Sequence, residues 1–178
     1  SLAQNLQEAR ALIVRLSQEI RQLTLQLRPP LLDELGLVGA LQAYIERYRK
    51  QTGIRVHLHT ELEPELRLPE LIELTAYRFV QEALTNVARH ARTEEVAVQL
   101  RLTDRELLLI VEDQGVGFDP EQAFATGRSM GLAAMRERIE LLGGRLEIAS
   151  QPGQGTRLKA LLPLPEEADR LISTEASL

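Results

Sequence analysis

Apolar residues at Leu2, Leu6, Ala9, Ile13, Leu16, Ile20, Leu23 and Leu27 recur at alternating steps of four and three. That is a heptad seam with Gln, Arg and Glu between the seam positions, and it predicts one long helix ended by Pro29-Pro30. A seam so narrow is buried only by another helix. Its strict period at one end of the chain favours a bundle between chains over packing on the chain's own body. Residues 31–36 read as a short irregular linker. A helix is expected over Leu37–Gln51, closed by Gly53, then a strand over Ile54–Thr60, where the polarity alternates with period two. Pro64–Pro69 reads as a turn. A long helix over Glu70–Ala91 follows, apolar at Leu71, Leu74, Tyr77, Ala83, Leu84 and Val87. Glu95–Leu102 and Glu106–Glu112 read as a hairpin, Asp113–Ser129 as a long loop, and Met130–Leu142 as a helix closed by Gly143-Gly144. Arg145–Ser150 and Thr156–Leu162 form a second hairpin, and 166–178 reads as a frayed tail.

Strands gathered into hairpins, rather than alternating strictly with helices, predict an α+β fold. We expect a two-layer sandwich of helices on a mixed, mostly antiparallel sheet, preceded by the long helix.

Composition narrows the chemistry. The chain has 178 residues, no Cys, no Trp and three His, which excludes disulfides, thiolate metal sites and a thiol nucleophile. His57 and His59 fall on the polar phase of the first strand and read as solvated. The net charge of −5 is uneven: residues 1–50 carry seven basic and five acidic groups, and the remainder carries a net −7. An acidic body argues against nucleic acid as partner. No apolar run reaches membrane-spanning length, so we expect no membrane contact by this stretch and a cytoplasmic location. The opening Ser1, already in helical pattern, suggests a piece of a longer protein, which could itself be membrane-anchored.

Four polar or glycine-rich groups sit at element ends. On an α-helix Glu82, Asn86 and His90 (i, i+4, i+8) and Arg89 (i+7) share one face. Asn is disfavoured inside a helix, and its amide oxygen can ligate Mg²⁺. A solvated polar face of i, i+4 pairs is the alternative. Asp113-Gln114-Gly115-Val116-Gly117-Phe118 runs out of a strand. Its carboxylate can accept from an exocyclic amine, and its glycines allow close approach, although a plain turn would read the same. Gly127–Leu132 precedes a helix whose free N–H groups suit an anion, or it is a flexible helix entry. Gly153-Gln154-Gly155-Thr156 alone reads as a hairpin turn.

Jointly, and in this order, the four groups resemble the N box and the three glycine boxes of sensor histidine kinase ATP-binding domains, which are similar to those of gyrase and MutL. The wording "QEALTNVARHA", "DQGVGF", "GLAAMRERIELLGG" and "PGQGT" is most similar to the NarL/DesK-type branch, over about Leu16–Leu164. The resemblance implies that 1–30 is the second helix of a dimerisation hairpin, with 31–36 the linker and 37–165 the ATP-binding catalytic domain. It implies that Asn86 coordinates Mg²⁺ between the ATP phosphates and that Glu82 orients or polarises the attacking group. Arg89 and His90 would lie near the phosphates. Asp113 would bond the adenine amino group with support from Thr156, and Gly115 and Gly117 would hinge the loop. A lid would cover about Asp119–Met130, with the Ser129-Met130-Gly131-Leu132 backbone at the phosphates. Where the family has glycine this chain has Ser129, which costs positive-φ freedom and predicts altered lid closure, with Gly127 compensating in part. Residues 1–28 contain no His, so the acceptor-bearing helix is missing and autophosphorylation at the usual site is not expected.

The implied function is transfer of the ATP γ-phosphoryl group to a His on a separate helix, then to the Asp of a response-regulator receiver domain, by a parent that is a homodimer through the N-terminal helix. Two alternatives stand beside it. One is an anti-sigma-type protein serine kinase, disfavoured by the heptad seam. The other is a degenerate ATP-binding dimerisation module, for which Ser129 is the main argument.

Overall fold

A computed structural model describes residues 28–103, 105–127 and 129–165. The heptad helix and the acidic tail lie outside these residues. The chain divides into two units, and apart from Pro30 the described elements belong to the second, Leu31–Leu178. They are helix α1 (Pro30–Thr52), strand β1 (Arg55–Thr60), helix α2 (Glu70–Asn86) with a π turn (Val87–Ala91), and strands β2 (Glu95–Leu102) and β3 (Glu106–Asp113). Helices α3 (Pro120–Ala125) and α4 (Met130–Glu140) and strands β4 (Arg145–Ser150) and β5 (Thr156–Pro163) complete the set.

The strands form one sheet in the order β1-β2-β3-β5-β4. Only the β1–β2 pair is parallel; the other three pairs are antiparallel. The expected mixed, mostly antiparallel sheet is therefore present. Its register stacks one apolar set on one face. Val98 faces Val111, which faces Leu158, and Leu100 faces Leu109, which faces Ala160. All six are buried. Against this set α2 contributes Ile72, Ala76, Phe79, Val80 and Ala83, and α4 contributes Met135 and Ile139. Each fully buried large aliphatic or Phe side chain contributes roughly 2 kcal/mol of transfer free energy, which makes this interface the main stabilising layer.

Helix α1 packs a stripe of Leu37, Leu41, Ile45 and Tyr48, at steps of four, four and three, and the Tyr48 hydroxyl donates to Leu84 O on α2 at 2.9 Å. The expected irregular linker over 31–36 is a correction: residues from Pro30 are helical, and the break is a single kink at Gly36 (φ 67°, ψ −176°). The Arg67 guanidinium serves the carbonyls that the kink exposes, donating to Leu32 O at 2.7 Å and Asp33 O at 2.9 Å. At the start of α2 the N-cap position is Pro69, which has no capping side chain. Glu73, only 2% exposed, reaches back instead and accepts the Leu68 N–H at 3.2 Å.

Two further expectations change. The α2 helix does not run on to Ala91 as α-helix but widens into the π turn after Asn86. The loop Asp113–Ser129 contains α3, with Asp119 as N-cap accepting the Gln122 N–H at 3.2 Å and Pro120 in the first turn. Among the described residues no helix is long and apolar enough to cross a membrane.

Candidate functional site

The inner face of the sheet ends in a polar row. Register aligns Asp113 with Thr156, and Thr156 with Ser150, across β3, β5 and β4. The same end of the sheet meets the π turn, the loop after Asp113 and the start of α4. Together they enclose a cavity of about 600 Å³. Its walls are mixed. Ala83, Val87, Ala91, Val111, Leu132 and Leu158 supply apolar surface, while Asn86, His90, Asp113, Thr156 and Ser129 supply polar groups.

Asp113 is 6% exposed. Its Oδ1 accepts the Gly115 N–H at 2.8 Å, and the Thr156 backbone N–H also donates to the carboxylate. Burial pushes its carboxyl above the usual range, the two backbone donors oppose that shift, and neighbouring Glu112 adds to it. A carboxylate held by backbone donors and still facing a cavity is an acceptor fixed in place.

The glycines have geometric reasons. A Cβ on Gly115 would collide with Ala91 O, and the adjacent Val116 N–H donates to that oxygen at 2.8 Å. Gly117 has φ 59°, and a Cβ there would collide with Gln151 O. Gly155 has φ 74° and packs against Asp113 O. Gly153 N donates to Val116 O at 2.6 Å, which ties the loop after Asp113 to the β4–β5 turn. A Cβ on Gly131 would collide with Glu82 Oε1, so the Glu82 carboxylate lies against the start of α4.

Of the residues singled out from sequence, the cavity brings together Asn86, His90, Asp113, Gly117, Ser129, Gly131, Leu132 and Thr156. Gly115 and Glu82 stand behind that lining, against Ala91 and Gly131. Arg89 and Met130 do not line it. The π turn is the physical reason for Arg89. Each residue of the wider turn advances less about the axis than in an α-helix, so His90 stays in line with Asn86 while Arg89, one residue earlier, falls off the shared face; both Arg89 and His90 are exposed. Met130 is 80% exposed on the outer side of the α4 start. At Ser129 φ is −109°, and the left-handed residue near it is Gly127 at φ 67°.

Sequence reasoning placed Phe118 in the motif after Asp113 and Gln122, Ala123 and Thr126 in the expected lid without giving them roles; they line the cavity from α3 and its approach, and Ser150, which it left out, lies behind it. The Asp119-Pro120-Glu121 string, an N-cap followed by helix-starting residues, was the available signal for α3. Nothing in sequence marks Ser150.

A nucleoside triphosphate with a divalent cation fits these residues. The volume lies in the range of small-ligand sites, the apolar walls suit a planar base, and Asp113 offers a fixed acceptor to it. Among the described residues no group of three or more His, Cys, Asp or Glu could hold a metal alone. Mg²⁺ suits such a place, since it is commonly held by few protein oxygens together with substrate phosphates, and Asn86 supplies one.

The sequence profile described as "Histidine kinase-, DNA gyrase B-, and HSP90-like ATPase" matches residues 72–166, more than half of the chain, and the chain belongs to this family. It carries a histidine-kinase-like ATP-binding catalytic domain. The chain is 36% identical to the oxygen sensor histidine kinase NreB of Staphylococcus carnosus, over 93% of this chain and 47% of that protein. It is 35% identical to the signal transduction histidine-protein kinase/phosphatase DegS of Brevibacillus brevis, over 84% of this chain and 38% of that one. It thus spans less than half the length of these relatives. The fold is also that of the histidine kinase domain of a blue-light activated histidine kinase from Erythrobacter litoralis EL346, with a TM-score of 0.60 at 24% identity, over 77% of this chain and 64% of that one.

Proposed function

We propose that this chain is the ATP-binding catalytic part of a two-component sensor histidine kinase. The observation that carries the reading is the fixed Asp113 carboxylate in a cavity that Asn86, His90 and the start of α4 also line. Asp113 takes the base amine, and the apolar wall around Val87, Val111 and Leu158 excludes water from the ring. Asn86 Oδ1 is the protein ligand for Mg²⁺, which when bound offsets phosphate charge. The N–H groups at the start of α4, around Gly131 and Leu132, meet phosphate oxygens. Glu82, held against Gly131, orients the attacking imidazole. Arg89 is exposed and reaches phosphate only by a side-chain swing.

The γ-phosphoryl acceptor is a His outside residues 1–30, which contain none, and the phosphoryl group then passes to a response-regulator Asp. A chain without that acceptor binds ATP and does not autophosphorylate at the usual site. The heptad seam Leu2–Leu27 pairs two copies of the parent. The relatives' names support kinase over degenerate module.

Calorimetry with Mg-ATP tests the site. Asn86→Ala is expected to weaken Mg-ATP by at least about tenfold, roughly 1.4 kcal/mol, while leaving Mg-free binding nearly unchanged. Asp113→Ala is expected to abolish both. Equal loss in the presence and absence of Mg²⁺ for Asn86→Ala would remove it as the metal ligand.

A further inference from the structure

The polar row at the cavity floor holds a proton count that decides what the floor can recognise. Ser150 Oγ has three neighbours. It accepts the Phe118 N–H at 2.9 Å, donates to Gly155 O at 2.9 Å, and lies 3.0 Å from Thr156 Oγ1. A serine hydroxyl has one proton, and a backbone carbonyl can only accept. That proton is committed to Gly155 O. The Ser150–Thr156 bond therefore runs from Thr156 to Ser150, and the single Thr156 proton is spent on it. Thr156 lines the cavity, so it can offer only lone pairs there. Asp113, aligned with it one strand away, is an acceptor too.

We infer that Ser150 is a specificity-determining positioning residue: by taking the Thr156 proton, it leaves the cavity floor with acceptors only. This rests on the nucleotide reading above and adds to it a rule for the base. The exocyclic group that meets the floor must be a donor, as the two-proton amine of a 6-amino purine is, with ring N1, itself an acceptor, turned away from Asp113 and Thr156. A 6-oxo purine sets a carbonyl against Asp113 and Thr156 and leaves acceptors facing acceptors, a costly mismatch in a partly desolvated site. Ser150 stands outside the lining and acts through Thr156. Its bond to Phe118 N also holds one wall of the cavity.

The test is the ratio of ATP to ITP affinity, measured by calorimetry on the full chain with Mg²⁺. The wild type should favour ATP by at least about thirtyfold. In Ser150→Ala the Thr156 hydroxyl can turn its proton into the cavity, and the ratio should fall by about fivefold or more. Ser150→Thr keeps the hydroxyl and should keep the ratio. A purely structural role would weaken both nucleotides together and leave the ratio unmoved, which overturns the inference. Thr156→Val supplies an independent sign should Ser150→Ala fail to fold. Removing an acceptor narrows the ratio, whereas removing a donor to the 6-oxo group widens it, and widening would overturn the inference. A folded wild type that binds neither nucleotide sinks the nucleotide reading itself, a failure distinct from ATP binding with an unchanged ratio.

Discussion

Burial resists charge on Asp113, and the consequence can be measured without any ligand. Its folded-state pKa is raised, first by desolvation. A carboxyl raised in the folded state binds its proton more tightly there than in the unfolded chain. Stability then falls as pH rises from the unfolded value, about 3.9, through the folded one, and the penalty is complete above it. Asp113→Asn lacks this component. The difference in Tm, variant minus wild type, should become more positive as pH rises above about 4. A difference independent of pH would show that the two backbone donors cancel the desolvation. Glycine positions separate in the same way. Gly117→Ala meets both a left-handed φ and the Gln151 carbonyl, whereas Gly127→Ala meets the φ alone, in open space. Thermal unfolding should show about 1 kcal/mol lost at Gly127 and clearly more, on the order of 3 kcal/mol, at Gly117. Equal losses would mean that the loop after Asp113 yields to relieve the collision.

Elements were legible in sequence where their signal is periodic. The alternation in Glu95–Leu102 set both the strand and the inward set Val96, Val98 and Leu100, and the Gly143-Gly144 stop placed the end of α4 within two residues. What was not legible has physical causes. A π turn differs from an α turn only in which carbonyl a given N–H reaches, and residue type does not encode that choice, so Arg89 was assigned to a face it does not share. The break at Gly36 depends on Arg67, a partner from a distant loop, so the sequence around 31–36 looked irregular when it is helical with one kink. Helix α3 is short and has no buried residue, so its cap matters more than its packing. Beyond the cap, Arg136 of α4 stands over the Phe124 ring at 4.5 Å. Asp119→Ala should cost about 1 kcal/mol locally. The variant should be nicked faster by protease within 119–127, with almost no change in global Tm; an unchanged nicking rate would mean that the Arg136–Phe124 contact holds α3 without its cap.

At the scale of the whole molecule, the sheet is assembled from unequal parts. The β2–β3 and β4–β5 pairs are joined through short turns, and β5 is set between β3 and β4. Strand β1 stands at one edge and reaches its parallel partner β2 only after the chain has passed through residues 61–94, α2 included. A pairing that spans so much chain forms after local hairpins and is released before them. The edge strand should therefore report a separate, less stable cooperative unit. In native-state hydrogen exchange, the paired amides of Arg55–Thr60 should open with a lower free energy than those of Leu107–Val111 in the centre of the sheet. Equal opening energies would mean instead that α1, lying along α2, locks edge and centre into one unit that unfolds only as a whole.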